Sequence, residues 1–182
     1  MIIWIVVGVV ALLLIITFSY YNRFIVLGNR IDNSLSQINV QLKRRADLIP
    51  NLIETVKGYA KHEKAVLKEV TDARKALVSA KGVEDKVKAD KGLEGALGKL
   101  FAIAEGYPDL KANTNFLELQ RELSSTEDRV AYARQNYNDS ILTYNNMVEK
   151  FPGLIFANMF GKNKRKYLEI TPEEKKNVKV KF

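Results

Sequence analysis

The sequence predicts an all-α protein: an N-terminal transmembrane helix that continues into an antiparallel bundle of three to four long helices. Three observations carry that expectation. The first 22 residues hold no charged side chain and are mostly Ile, Val and Leu. Two later stretches space their apolar residues in alternating steps of three and four, the heptad pattern of helices that pack on helices. Only four prolines and ten glycines interrupt 182 residues, few for a β-rich or disordered chain.

The anchor comes first. From Ile2 to Phe18 the chain is a near-continuous apolar block, and Ile2, Ile3, Trp4, Leu12, Leu13, Leu14 and Phe18 are assigned to its lipid-embedded part. At about 1.5 Å of rise per residue the stretch reaches roughly 26–33 Å, the depth of a bilayer's hydrocarbon layer. Trp4 near one end and Tyr20 and Tyr21 at the other suit the two interfaces. A cleaved secretory signal is the competing possibility. It requires a basic leader, a shorter apolar run and small residues at the cut, whereas Thr17-Phe18-Ser19-Tyr20-Tyr21 is bulky and no basic side chain precedes it. An uncleaved single-pass anchor over residues 1–22 is therefore expected. Arg23 and Arg30 follow the span, and Lys43, Arg44 and Arg45 come after, so the positive-inside tendency places the C-terminal body in the cytoplasm at the cell membrane.

The first seam runs through Ile31, Leu35, Ile38, Leu42, Ile49, Leu52, Val56, Tyr59, Val66, Val70, Ala73 and Leu77. Arg45 and Glu63 interrupt it where apolar residues are due. The pattern predicts one helix from the membrane to about residue 80, with Pro50 kinking it rather than ending it. An arginine on a seam costs stability unless a carboxylate or carbonyl meets it. Arg45, together with Glu63 and Pro50, is thus a candidate for setting register or assembly, with Arg45 pairing across helices or subunits. Asp47, four residues after Lys43, offers the blander local ion pair.

Residues 81–92, charged and poor in large apolar groups, are expected to form a turn or frayed linker. A short helix carrying Leu93, Leu97, Leu100, Phe101 and Ala104 follows, weakened by glycines at 92, 95 and 98 and closed by Gly106-Tyr107-Pro108. The next helix opens near Thr114 or Asn115, with Glu118 placed to complete a capping arrangement. Phe116, Leu119, Leu123, Thr126, Val130, Ala133, Tyr137, Ile141, Tyr144 and Val148 form the second seam, lighter than the first where helices must approach closely. Antiparallel packing of these stripes is the economical way to bury them.

After Phe151-Pro152-Gly153 comes an apolar segment whose Leu154, Ile155, Phe156, Met159 and Phe160 cover most of a helix circumference. Left in water, they forgo on the order of 10 kcal/mol of gross burial. Packing on the bundle's end, a contact with a neighbouring subunit and insertion at the membrane surface are the three outlets. The five residues are assigned as a candidate oligomer contact. The bundle then covers residues 23–161, and residues 162–182 form a basic, mobile tail whose last seven residues alternate like a short edge strand.

Composition excludes several chemistries. With no cysteine and one histidine, His62, the chain cannot form disulfides, thiolate sites or a two-histidine zinc motif. Glu54, Glu63, Glu69 and Asp72 are dispersed, and Ser34, Ser36, Ser124 and Ser125 lack a nucleophile elbow. No catalytic residue, metal site or cofactor is expected, and the chain is not expected to be an enzyme. The formal charge of +8 invites a nucleic-acid or anionic-lipid partner. Yet Lys and Glu alternate through the middle, as on a solvated helix, and residues 161–182 alone carry eight Lys or Arg against three Glu. Nucleic acid is therefore not an expected partner. The bilayer is, along with a second copy of the chain and a further protein partner.

The stretches QLKRRADLIPNL at 41–52 and ELSSTEDRVAYAR at 122–134, and the apolar segment after Phe151-Pro152, occur in an order that resembles the LemA family. The resemblance extends over residues 21–63 and 116–161 and, with the anchor, nearly the whole chain. Gly28 and Ser34 stand where the family pattern more often has a larger residue. It implies a bacterial-type single-span membrane protein with a mostly helical body, a short N-terminus outside and the body inside. It carries over no catalytic residue. The combined expectation is a membrane-anchored helical scaffold that self-associates. The alternative is a tethered adaptor that recruits a cytoplasmic protein or anionic lipid through Lys162 to Lys166.

Overall fold

The computed structural model describes residues 1–168. Six helices account for most of them: α1 (Ile2–Tyr59), α2 (Lys64–Ser79), α3 (Val83–Ala104), α4 (Pro108–Lys111), α5 (Thr114–Glu149) and α6 (Gly153–Met159). Among the described residues there is no strand, and the fold class is all-α. The chain divides into two compact units: unit 1 is Met1–Ser34 with Gln135–Phe182, and unit 2 is Leu35–Arg134.

In unit 2 the helices alternate in direction. Asn39 and Arg45 of α1 meet Lys86 and Asp90 of α3, so these two run parallel. Ala46 of α1 meets Arg74 of α2, and Glu69 of α2 meets Lys99 of α3. With Tyr59 on Asn113 and Arg44 on Glu122, α5 runs opposite to α1. The core is the expected seam material: Ile38, Leu42, Ile49, Leu52, Val56, Val70, Leu77, Leu93, Leu100, Leu123 and Val130 are all buried.

Two expectations are corrected here. The first seam does not lie on one helix to residue 80, because α1 ends at Tyr59 and α2 begins at Lys64. Tyr59, a seam residue by the pattern, is 43% exposed at the end of α1, and the buried positions on either side of the break are Ala60 and Leu67. Period reports which face is buried, not whether the chain has reversed. Nor is 81–92 a linker. The helix α3 starts at Val83, with Gly82 at the N-cap and Glu84 and Asp85 in its first turn, where they favour the positive end of the helix dipole. Val83, Asp90, Leu97 and Ala104 share one heptad position, and Asp90 is buried there. The first half of α3 packs with charge as well as hydrocarbon, which an apolar count misses. The α5 cap also differs. Asn113 Oδ1 accepts from the Phe116 amide at 3.0 Å, so Asn113 caps the helix rather than Asn115 with Glu118.

In unit 1, Phe24, Leu27 and Ile31 of α1 pack with Ile141, Tyr144 and Val148 of α5 and Ala157 of α6. Ser34 Oγ and Ser140 Oγ lie 3.1 Å apart, two small side chains that let α1 and α5 approach closely. After α6 the chain lies along α5: Asn145 is hydrogen-bonded to the main chain of Arg165, and Asn138 to that of Leu168. The tail expectation spans residues 162–182, and its portion from 169 onward lies outside the described residues.

Candidate functional site

The residues assigned to the anchor stand uncovered. Ile2, Ile3, Trp4, Leu12, Leu13, Leu14 and Phe18 are all exposed, and the most apolar window of α1 has none of its residues buried in the protein. The helix is long and apolar enough to cross a membrane. Two aliphatic hydroxyls in its apolar part turn back on the helix: Thr17 Oγ1 donates to the Leu13 carbonyl and Ser19 Oγ to the Ile15 carbonyl, each at 2.8 Å. Satisfied that way, they add no unpaired donor to the exposed apolar surface.

Close to that end of unit 1 lies α6. Its entry demands glycine, since a Cβ at Gly153 would stand 2.1 Å from the Met147 carbonyl oxygen. Its exit is a Schellman turn. Gly161 has φ of +62°, the Lys162 amide donates to the Ala157 carbonyl at 2.8 Å, and the Gly161 amide donates to that of Asn158 at 3.3 Å. Between those fixed ends, Phe156 stacks on Tyr20 with centroids 4.4 Å apart, and Phe160 meets Tyr21 edge-on at 5.2 Å. The five residues assigned as an oligomer contact therefore divide. Phe156 and Phe160 pack within unit 1, whereas Leu154, Ile155 and Met159 are 44%, 56% and 56% exposed. Phe151 beside them is 80% exposed.

In unit 2, Arg45 is among the largest fully buried side chains of the described residues, at 2% exposure. Its Nη1 donates to Asp90 Oδ1 at 2.9 Å and its Nη2 to Glu127 Oε2 at 3.0 Å. Thus α1, α3 and α5 meet at one guanidinium. Burial pushes the Asp90 carboxyl above its ordinary range, opposed by the Arg45 charge and hydrogen bond. Glu127, its side chain half exposed, is raised in the same direction, again by desolvation against Arg45.

Pro50 lies within α1, which continues through it. Proline has no amide hydrogen to give to the carbonyl four residues back, so the buried Ala46 oxygen is left without its helical partner. Arg74 of α2 supplies the missing donor, its Nε reaching the Ala46 oxygen at 2.8 Å. Glu63 sits at the N-cap of α2 and accepts from the Tyr107 hydroxyl at 3.0 Å, tying the α1–α2 corner to the turn before α4. That contact raises the Tyr107 hydroxyl above its ordinary pKa.

Arg74, Asp90, Asn138 and Asn145 were not singled out by the sequence. A signal existed for two of them: Asp90 holds a seam position of α3, and Arg74 is the donor that an interior proline calls for. Among the described residues, no three His, Asp or Glu side chains converge as metal ligands would. The arrangement can span a lipid layer, present an apolar surface next to it and hold helices in register.

Magnetosome protein MamQ of Magnetospirillum gryphiswaldense is 28% identical over 178 residues, covering 84% of this chain. Magnetosome protein MamQ 2 of Paramagnetospirillum magneticum is 27% identical over the same length and share. The chain spans 65% of the length of each of these relatives. Protein LemA of Metamycoplasma hominis is 31% identical over 128 residues, 68% of this chain and 57% of that protein. The profile of the LemA family matches residues 34–182, which takes in the second seam, the first seam from Leu35 onward and α6, and the chain belongs to the LemA family.

Proposed function

We propose that the chain is a membrane-anchored, non-catalytic helical scaffold whose copies associate side by side, with the body in the cytoplasm. One observation carries the self-association: α6 is fixed to its own unit by Phe156 and Phe160 while Leu154, Ile155, Met159 and Phe151 face outward. A rigid element with its apolar side chains turned away from its own core loses free energy to water until something covers it. An anchor confines copies to a plane, which raises their effective concentration and favours an identical neighbour as the cover.

The test is the molar mass of the full-length protein in mild detergent, by light scattering, beside a Leu154→Ser/Ile155→Ser/Met159→Ser variant. The exposed positions are the informative ones, because serine at Phe156 or Phe160 also removes the stacking on Tyr20 and Tyr21. A discrete assembly that dissolves in the variant is expected. Monomers in both would end the scaffold reading.

A second reading is favoured by the charge after α6, where Lys162, Lys164, Arg165 and Lys166 follow within a few residues. These would attract anionic headgroups and make the chain a tethered lipid adaptor. Part of that charge is already engaged, since Lys164 pairs with Glu149 and Arg165 lies over the Tyr144 ring. Salt separates the two: apolar assembly survives high salt, and headgroup attraction does not.

A further inference from the structure

The segment after α6 is held by its backbone. Asn145 Nδ2 donates to the Arg165 carbonyl at 2.9 Å, and Asn145 Oδ1 accepts from the Arg165 amide at 2.9 Å. Asn138 repeats this on Leu168, at 3.1 Å and 2.9 Å. One carboxamide, with one donor edge and one acceptor edge, closes on both the N–H and the C=O of a single residue at each clamp.

The spacing of the two clamps is matched. Asn138 and Asn145 are seven residues apart on α5, about 10.5 Å along a helix. Arg165 and Leu168 are three residues apart, about 10 Å of extended chain. Helix and segment run in opposite directions and meet at both rungs. Side chains add selectivity at the same two residues. The Arg165 guanidinium lies 5.9 Å from the centre of the Tyr144 ring, and Leu168 is buried to 4% exposure. Tyr167 between them stays exposed.

We propose that Asn138, Tyr144 and Asn145 form a peptide-recognition track for an extended Arg-x-x-Leu segment, and that neighbouring copies of this chain exchange residues 165–168 across it. The track reads main chain at two points, a cation at one and an aliphatic side chain at the other. The ligand that satisfies all of these in the structure is the chain's own Arg165-Lys166-Tyr167-Leu168, and every copy carries it. The contacts made are identical whether segment and track belong to one copy or to two, which is the condition under which exchange is inexpensive. The exchange rests on the scaffold reading, whereas the track does not.

The experiment uses full-length protein in detergent micelles and a fluorescent peptide of residues 162–168, followed by anisotropy. In the native chain the track is filled from within, so apparent affinity is lowered by the fraction of time it stands open. An Arg165→Glu/Leu168→Asp variant, which frees the track, should bind the peptide about tenfold more tightly. Adding Asn138→Ala and Asn145→Ala should abolish that gain. A freed-track variant of normal helicity that ignores the peptide would overturn the track.

Exchange is read separately, with a photoreactive benzoylphenylalanine at Tyr167 in one tagged copy mixed with untagged copies in a bilayer nanodisc. Crosslinks between copies that disappear with Asn138→Ala/Asn145→Ala are expected, and crosslinks confined to single copies would overturn the exchange. The Leu154→Ser/Ile155→Ser/Met159→Ser variant leaves the track intact. Peptide binding in its freed-track form therefore upholds the track even if that variant's own assembly is lost.

Discussion

Unit 1 and unit 2 share the same two long helices but are held together differently. Unit 1 packs hydrocarbon and rings, Phe24, Ile31, Ile141, Tyr144 and Ala157, and its polar clamps grip main chain. Unit 2 puts a guanidinium at the meeting of three helices and pairs its two terminal nitrogens with two carboxylates. Apolar packing tolerates sliding, because a leucine fits several neighbouring holes. A buried arginine does not, because a shift of one turn strands the charge. Unit 2 is thus the part whose register is specified by charge, and unit 1 the part whose close contacts are specified by size.

The sharpest way to break that contrast is Asp90→Ala, which leaves Arg45 buried with only the half-exposed Glu127. It should cost about 3 kcal/mol by urea denaturation, against less than about 1 kcal/mol for Glu127→Ala. Arg45→Leu combined with Asp90→Leu should recover most of the loss, since a matched apolar pair replaces a desolvated ionic one. Equal effects of Asp90→Ala and Glu127→Ala would mean that burial does not decide the matter.

For unit 1, Gly153→Ala tests size instead of charge. The new methyl collides with the Met147 carbonyl, and overpacking of this kind should cost about 1–3 kcal/mol. The loss should be unchanged in high salt. A comparable effect is expected in unit 2 from Arg74→Ala, which orphans the buried Ala46 oxygen, at about 1–3 kcal/mol. There the partner variant is decisive: in a Pro50→Ala background the helix regains an amide for that oxygen, and the penalty of Arg74→Ala should shrink. A full penalty in both backgrounds would show that Arg74 acts through something other than Ala46.

The smallest expected effect is a pH dependence. The Asp90 carboxyl in the folded protein titrates above its ordinary value of 3.8, so folding favours its protonated form. That contribution to stability is complete below the ordinary value and is lost as pH rises through the raised one. Thermal melts of the native chain and of Asp90→Asn across this acidic window should therefore diverge, with the native chain losing more stability as pH rises. Parallel curves would remove Asp90 from the account.

Much of this was legible in the chain. The heptad seams named many of the buried residues, Ile38, Leu42, Ile49, Leu52, Val56, Leu123 and Val130 among them, although the seam residue Tyr59 is 43% exposed. Direction was not legible, because a seven-residue step such as Tyr59 to Val66 reads the same in the sequence whether or not the chain reverses between them. The start of α3 was hidden for a related reason: its seam position is Asp90, and a carboxylate looks like solvent-facing charge until its arginine is known. The clamps were the least visible. An asparagine in a helix carries no mark of what it will hold, and its partners lie 20 and 30 residues further along the chain.

By itself the sequence determined the long apolar N-terminal helix, the helical class and most of the two stripes that had to be buried, because hydropathy and period are local properties set by neighbours three and four residues away. It also marked Arg45 as a charge in need of a partner. Only the tertiary structure decided which carboxylates answered it, where the first long helix turned back, and which faces of α6 were used up by Tyr20 and Tyr21. Those outcomes depend on residues brought together from distant parts of the chain, and a distance in space is not written in the order of residues.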